Sequence, residues 1–251
     1  MILDLHAEIQ GEAGLPQMVI LHGLFGSSSN WRSIARKLSR NYQVTCLDLR
    51  NHGKSPWHDD MTYYDMAGDV VQYLRKLDLS DPVLIGHSMG GKTAMTMLQE
   101  YEIDVAKAFI VDIAPVSYQH NHDDLLEAML SVDLALQLSR ADVDSALSEA
   151  VPDQALRQFL LQNLRQDGSG LSWRINLKSI MNNTRYLFDY DSNNVSKVDT
   201  TFIGGGNSDY ILPAYHETIY SMFPNSTIET VPGAGHWLHA EKPDALLELI
   251  N

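Results

Sequence analysis

A serine between two glycines is the clearest candidate for chemistry in this chain of 251 residues. The segment Gly86–Gly90 reads G-H-S-M-G; it follows a short apolar run and precedes a helical pattern. A G-x-S-x-G segment in that context is typical of a nucleophile held on a strained turn above a sheet. Ser88 is therefore the predicted nucleophile, and the N–H group of Met89 is a predicted donor to negative charge beside it. A glycine-lined turn with a passive serine is the alternative interpretation.

Two further glycine-bearing loops contain the groups that a nucleophilic serine needs. In the first loop, His22–Ser27 (HGLFGS), the N–H of Leu24 is the predicted second donor to an oxyanion, with that of Phe25 as the fallback. Late in the chain, the loop V-P-G-A-G-H-W carries His236 after the last apolar run. A loop at the strand ends can bring this histidine to the serine as a general base. These residues predict acyl transfer without a metal or an organic cofactor.

The alternation of short apolar runs with amphipathic stretches predicts the fold class. The apolar runs have the length and composition of strands buried on both faces. They are residues 18–22, 44–47, 82–86, 108–113, 200–203 and 227–231. Because helical patterns separate these runs, we expect a doubly wound, mostly parallel α/β sheet with right-handed crossovers.

The alternation stops between Ser117 and about Lys197, where the sequence is helical and has no strand signal. An excursion between two strands of one sheet is most simply a cap over the strand ends. We therefore predict a core domain of residues 1–116 and 198–251, with a helical cap of residues 117–197 inserted in it.

Composition and charge exclude several classes of protein. With 44% hydrophobic and 20% charged residues, the chain is globular and contains no run that could span a membrane. A formal net charge of −14 disfavours nucleic acid and anionic membranes as partners. The single cysteine, Cys46, favours a reducing compartment, and the first residues lack the features of a signal peptide. We expect a cytoplasmic enzyme, a monomer or weak homo-oligomer, that acts on a small ester or thioester.

The motifs resemble, in order, those of the α/β-hydrolase superfamily over nearly the whole chain. Besides the segments above, they include DLRNHGKSP from Asp48, GGNSDYILP from Gly205 and GAGHWLHAEKP from Gly233. Together with VDIAPVSY from Val111, they are similar to the small bacterial esterases of the YbfF type. This resemblance implies hydrolysis of short esters and of acyl-CoA thioesters.

Two aspartates are candidates for the acid that orients the histidine. Most of the superfamily places it in a G-x-x-D-x-x-x-P segment, which Gly206, Asp209 and Pro213 match. In the YbfF-like group the resemblance implies Asp112, at the end of an apolar run. A carboxylate that closes a buried strand needs a partner to offset its desolvation, which favours Asp112. In its polar loop, Asp209 is equally suited to capping the following helix.

Cations are concentrated in the second half of the predicted cap. Between residues 165 and 188 there are four cations and one acid: Arg165, Arg174, Lys178 and Arg185, with Asp167. We predict that Arg174, Lys178 and Arg185 bind the phosphates of an acyl-CoA. The alternative is that they are ordinary solvated residues on helix surfaces.

Other histidines have simpler interpretations. His87 is expected to act in packing or pocket polarity, and His239 to lie at the surface or at a helix start. His120, His122 and Asp124 have a spacing that could suggest zinc, but no further ligand cluster accompanies them, which favours a solvated loop.

Two other functions use the same fold and residues. The Ser–His pair could serve C–C bond hydrolysis or proton abstraction and elimination, as in relatives of the superfamily. A non-catalytic ligand receptor that keeps the pocket is the third hypothesis, disfavoured by the complete set of motifs.

Overall fold

The computed structural model describes residues 1–119, 122–136, 139–168 and 170–250. Its strands, labelled in chain order, are β1 (Ala7–Gln10), β2 (Gln17–Leu21), β3 (Gln43–Leu47), β4 (Val83–His87), β5 (Lys107–Val111), β6 (Leu164–Asp167), β7 (Gly170–Trp173), β8 (Thr200–Gly205) and β9 (Ser226–Val231). Its helices are α1 (Arg32–Leu38), α2 (Tyr63–Lys76), α3 (Met89–Glu100), α4 (Asp123–Ser131), α5 (Arg140–Leu147), α6 (Gln154–Leu160), α7 (Leu177–Phe188), α8 (His216–Met222), α9 (Leu238–Glu241) and α10 (Pro243–Ile250).

Within the described residues, seven strands form one sheet in the order β1-β3-β2-β4-β5-β8-β9. All neighbouring pairs are parallel except β1 with β3. The predicted doubly wound α/β sheet is confirmed, and each of the six predicted strands is present to within a few residues. The antiparallel edge strand β1 was not predicted, because its four residues A-E-I-Q lack an apolar run.

The central strands are buried because helices cover both faces of the sheet. One apolar cluster includes Val19, Leu84 and Ile110 together with residues of α2, α3 and the cap. The other includes Ile20, Ile85 and residues of α1 and α10. Since successive strand residues point to opposite faces, continuous apolar runs are what this two-sided burial requires.

The segment between β5 and β8 contains α4 to α7 and a two-stranded antiparallel hairpin, β6 with β7. The expectation that residues 117–197 contain only helices is therefore wrong at the hairpin. Its strands have four residues each, and β6 exposes three of them, so neither strand shows the apolar run or alternation that signals burial. The division of the chain into core and cap domains stays a prediction.

The segment returns to the core through a dense set of contacts at the end of α7. The Tyr63 hydroxyl donates to the Leu187 carbonyl at 2.6 Å. Lys92 Nζ lies 3.2 Å from the carbonyl oxygen of Phe188 and 2.9 Å from that of Asp189. The last carbonyls of a helix have no partner within it, so these two core side chains act as its C-terminal cap.

Candidate active site

Ser88 occupies the turn between β4 and α3, with φ 51° and ψ −117°. This positive φ is uncommon for a residue other than glycine and marks a strained turn. A Cβ atom at Gly86 would lie 2.4 Å from the Gly90 carbonyl oxygen, and one at Gly90 would lie 2.4 Å from that of Leu21. Both positions therefore require glycine, which is the steric reason for the G-x-S-x-G spacing.

His236 lies in the loop that follows β9 and contacts Ser88. Its Nε2 atom is 3.1 Å from Ser88 Oγ, and its Nδ1 atom is 2.7 Å from Asp112 Oδ2. The ring stacks on Tyr210, with ring centres 4.2 Å apart. Since a carboxylate oxygen only accepts, Nδ1 carries the hydrogen and Nε2 is left free to accept one from the serine.

Asp112 follows β5 directly, has a φ of 51° and is fully buried. Its Oδ1 atom accepts a hydrogen bond from the Gly205 N–H at 2.8 Å. Its Oδ2 atom accepts one from the Ser208 hydroxyl at 2.5 Å, besides that from His236. Three donors thus face a carboxylate that has lost its water, which is what a buried charge requires.

Asp209, the other candidate acid, is not brought to the histidine. It is exposed, while its neighbour Ser208 points to Asp112. Nδ1 of His236 is already bonded to Asp112, so the geometry favours Asp112 over the G-x-x-D match.

The loop after β2 passes directly against the nucleophile. A Cβ atom at Gly23 would lie 3.2 Å from Ser88 Cβ, which shows how closely the two backbones approach. Within the described part of the chain, the N–H groups of Leu24, Phe25 and Met89 donate no hydrogen bond. Backbone N–H groups left open beside a serine are the arrangement that a developing oxyanion needs.

His22 holds this loop in place. Its Nδ1 donates to the Gly23 carbonyl at 2.8 Å, and its Nε2 accepts the Leu49 N–H at 3.0 Å. Burial lowers the pKa of His22, outweighing the nearby Asp48 carboxylate, so the ring is neutral as these two opposite roles require.

A cavity of about 260 Å³ opens onto Ser88 and His236. Its lining surface is predominantly apolar, and the apolar and aromatic side chains that contribute to it include Leu24, Phe25, Trp31, Leu125, Leu156, Phe159, Tyr210 and Trp237. A second cavity, of about 30 Å³, also reaches Ser88 and is lined by Met89, Lys92 and Leu187. The sequence analysis does not assign Trp31, Leu156 or Trp237 to the wall of this cavity. Only the position of Trp237 beside His236 could have indicated its role.

Two other histidines border the nucleophile. His87 is buried and donates through Nε2 to the His236 carbonyl at 2.8 Å. This position is compatible with the expected role in packing or pocket polarity. His239 is the second residue of α9, in line with the expected helix start, and it is half-buried. Its ring stacks on buried Trp31, with ring centres 4.7 Å apart, and lines the larger cavity. Burial lowers the pKa of His239 to about 4, so its ring is neutral.

The three predicted phosphate-binding cations do not converge on Ser88. Lys178 and Arg185 are exposed on α7, and Arg185 stacks on Tyr186 at 4.4 Å. Arg174 lines a groove with Lys54 and Arg165 that does not include Ser88. Arg185 lines a different groove, with Asp189, and the binding of acyl-CoA phosphates by these three cations stays a prediction.

The zinc interpretation concerns the segment that contains His120, His122 and Asp124. Among residues 1–119, 122–136, 139–168 and 170–250, no group of three or more side chains could hold a metal ion. His120, a member of the spacing discussed above, lies outside the described residues. No helix in the same ranges is long and apolar enough to cross a membrane.

The chain belongs to the family described as α/β hydrolase fold, whose model matches residues 16–243. It is 42% identical over 260 residues to the sn-1-specific diacylglycerol lipase ABHD11 of Xenopus tropicalis, covering 99% of this chain and 81% of the lipase. It is 33% identical over 253 residues to the esterase YbfF of Escherichia coli K12, covering 100% of this chain and 98% of the esterase.

Among solved structures, a marine microorganism esterase superposes with a TM-score of 0.95 at 37% identity, covering 99% of this chain and 98% of that one. These relationships confirm the predicted superfamily, the resemblance to YbfF and the α/β-hydrolase fold. They also confirm the predicted enzyme class, a hydrolase of the ester-cleaving type.

Proposed function

We propose that the protein cleaves carboxylic esters through an acyl-enzyme formed on Ser88. The observation that carries this proposal is the continuous hydrogen-bonded series Ser88–His236–Asp112, at 3.1 and 2.7 Å. Ser88 Oγ attacks the acyl carbon while His236 Nε2 takes its proton. Asp112 holds the ring in the required tautomer and stabilises the imidazolium.

The oxyanion of the tetrahedral intermediate is bound by the open N–H groups of Leu24 and Met89, with that of Phe25 as the alternative to Leu24. When the intermediate collapses, His236 returns the proton to the leaving oxygen and the alcohol departs. Water then gives a proton to His236 as it attacks the acyl carbon. When the second tetrahedral intermediate collapses, His236 returns this proton to Ser88 Oγ and the carboxylic acid leaves.

The apolar lining of the larger cavity favours an apolar substrate. The names of the lipase and esterase relatives agree with ester substrates of this kind. Because the cavity is lined mainly by apolar and aromatic side chains, we infer an ester with an apolar acyl or alcohol group. Hydrolysis of acyl-CoA thioesters, which the sequence resemblance implies, is also part of this proposal. So are a cytoplasmic location, which the single cysteine favours, and a monomeric or weakly homo-oligomeric state.

The test is a comparison of initial rates on a series of p-nitrophenyl esters and a matched acyl-CoA series, for the wild type and Ser88→Ala. We expect ester turnover that Ser88→Ala abolishes. Exposed Ser131→Ala in α4 is the matched control and should retain full turnover. A folded wild type with no turnover on either series contradicts the proposal and favours elimination chemistry, C–C hydrolysis or a receptor.

A further inference from the structure

A cationic groove lies on the surface where a core loop meets the β6–β7 hairpin. It has a volume of about 280 Å³ and is lined by Gly53, Lys54, Ser55, Trp57, Arg165 and Arg174. Lys54 and Trp57 belong to the loop after β3, whereas Arg165 is on β6 and Arg174 follows β7. Three cations from separate parts of the chain thus surround one concavity in a protein with a formal net charge of −14.

The cations of the groove are incompletely neutralised. Arg174 is half-buried, yet its guanidinium has no hydrogen bond or ion pair with any residue that the structure describes. Lys54 lies 3.7 Å from Glu8, and Arg165 lies 4.0 Å from Asp167; both cationic side chains are more than half exposed. Such long, exposed ion pairs contribute little to stability, so the carboxylate in each is readily replaced by another anion.

Trp57 provides a flat apolar surface beside these charges. Its side chain is 53% exposed, although large aromatic residues are usually buried. An exposed indole next to arginines is suited to stack against a planar ring while the guanidinium groups bind phosphate oxygens.

The walls of the groove are fixed by buried hydrogen bonds. The Asn176 N–H donates to the Asn51 carbonyl at 2.9 Å, and Asn51 Nδ2 donates to Ser179 Oγ at 3.1 Å. The Arg174 N–H donates to the Asn163 carbonyl at 2.8 Å. Because these bonds tie the loop to the start of α7 and close the base of the hairpin, the backbone that carries the three cations is positioned before any ligand binds, which lowers the entropic cost of binding.

We propose that this groove binds a soluble phosphorylated ligand that carries a flat ring, namely a nucleotide phosphate. The arginines and Lys54 bind the phosphates, and Trp57 stacks on the base. A concave site favours a small ligand over a membrane surface, and the acidic chain is repelled by anionic lipid. Since Ser88 does not line the groove, the proposal does not depend on the hydrolytic mechanism.

Isothermal titration of the whole protein with ADP, adenosine, pyrophosphate and anionic phospholipid vesicles tests this proposal. We expect ADP to bind, with an affinity that falls as salt rises. Arg174→Gln should weaken ADP binding by about tenfold, the cost of a charged hydrogen bond. Trp57→Ala should weaken ADP to a similar degree but leave pyrophosphate unchanged. Arg36→Gln, which removes an exposed cation of α1 outside the groove, is the matched control and should change neither.

Three results would overturn the proposal. The first is no heat of binding with millimolar ADP, and the second is equal weakening by Arg174→Gln and Arg36→Gln. The third is binding of vesicles alone, which would identify a lipid surface instead. If Trp57→Ala leaves ADP binding unchanged, recognition of the base is wrong. Circular dichroism of each variant confirms that it is folded.

Discussion

Two regions of the molecule are held in place in different ways. One is the pair of residues at the ends of β4 and β5, and the other is the segment between β5 and β8. Ser88 and Asp112 each follow a buried strand directly, and each has a φ of 51°. Their places are set by backbone geometry within the sheet. The segment between β5 and β8, the cap segment, is instead attached mainly through side chains that reach backbone carbonyls, such as Lys92 to Phe188 and Asn163 Nδ2 to Phe25 at 2.7 Å. This contrast indicates that backbone places the reacting groups, whereas side chains shape the pocket around them.

A positive φ at a non-glycine residue costs about 1–3 kcal/mol, so the two reacting positions need compensation from their surroundings. Ser88 N–H donates to the Val111 carbonyl at 3.0 Å, and Asp112 N–H donates to that of Ile203 at 2.8 Å. Each strained residue is therefore bonded to the next strand of the sheet.

The largest expected effect is that of His236→Gln. Removing the base should lower kcat/KM for a short ester by about 10³-fold or more while the fold is retained. The matched control is His239→Gln, because His239 lines the same cavity but stacks on Trp31. We expect that control to lose less than about tenfold. A comparable loss in both variants would contradict the assignment of the base.

The second effect distinguishes the two candidate acids. Asp112→Asn should lower kcat by about 10²- to 10⁴-fold, because an amide does not hold the same histidine tautomer and does not stabilise the imidazolium. Exposed Asp209→Asn should leave kcat within about twofold, as surface substitutions usually do. Steady-state rates of the two variants measure this difference. The reverse order would mean that the acid reaches His236 from the other loop.

The third effect concerns stability at the serine turn. Gly90→Ala places a Cβ 2.4 Å from one backbone oxygen and 2.6 Å from another, neither of which can move freely. We expect a loss of about 2–3 kcal/mol in the free energy of unfolding. Gly168→Ala is the control, since its Cβ meets nothing within 4 Å, and it should change stability by less than about 0.5 kcal/mol. Urea unfolding followed by circular dichroism measures both, and equal losses would contradict the steric account.

The fourth effect is a pH dependence at the attachment of the cap segment. Burial lowers the pKa of Lys92 from 10.5 to about 7, with the Asp189 carboxylate opposing this shift. Between these values the unfolded chain binds a proton that the folded protein does not, so Lys92 makes stability rise with pH from about 7 towards 10.5. The cost of the buried charge is fully present below about pH 7.

Urea unfolding of the wild type and Lys92→Met at pH 7, 8 and 9 isolates this dependence. The wild type should gain stability relative to the variant by at most about 1.4 kcal/mol per pH unit. Lys76→Met, at an exposed lysine of α2, is the control and should show no such slope. A difference between wild type and Lys92→Met that is constant with pH would contradict the lowered pKa.

The smallest effect lies in the cavity wall. Phe159 contacts Trp237 with ring centres 5.6 Å apart and lines the larger cavity. Phe159→Ala should lower kcat/KM for a long-chain ester by about three- to tenfold and leave an acetate ester nearly unchanged. The ratio of the two rates is the measurement. Equal losses on both esters would mean that Phe159 supports the reacting groups and not the substrate.

The features of the fold and the site that the sequence predicts are those with a local signal in the chain. The strands, the serine turn and the loops carrying Leu24 and His236 have local signals, since two-sided burial demands apolar runs and close backbone approach demands glycine. The hairpin β6–β7 has no such signal because it is short and largely exposed. The choice between Asp112 and Asp209 depends on long-range packing, which spacing along the chain does not encode. The same is true of the stacking of His239 on Trp31 and of the separate grooves that Arg174 and Arg185 line.

The most direct test of the central claim is to trap the acyl-enzyme. The wild type and Ser88→Ala are mixed with p-nitrophenyl butyrate, quenched in acid during turnover, digested and examined by mass spectrometry. We predict one butyryl group on the peptide that contains Ser88 in the wild type and none in the variant. Turnover that persists in Ser88→Ala, or a butyryl group on a different residue, would contradict a nucleophile fixed at the end of β4.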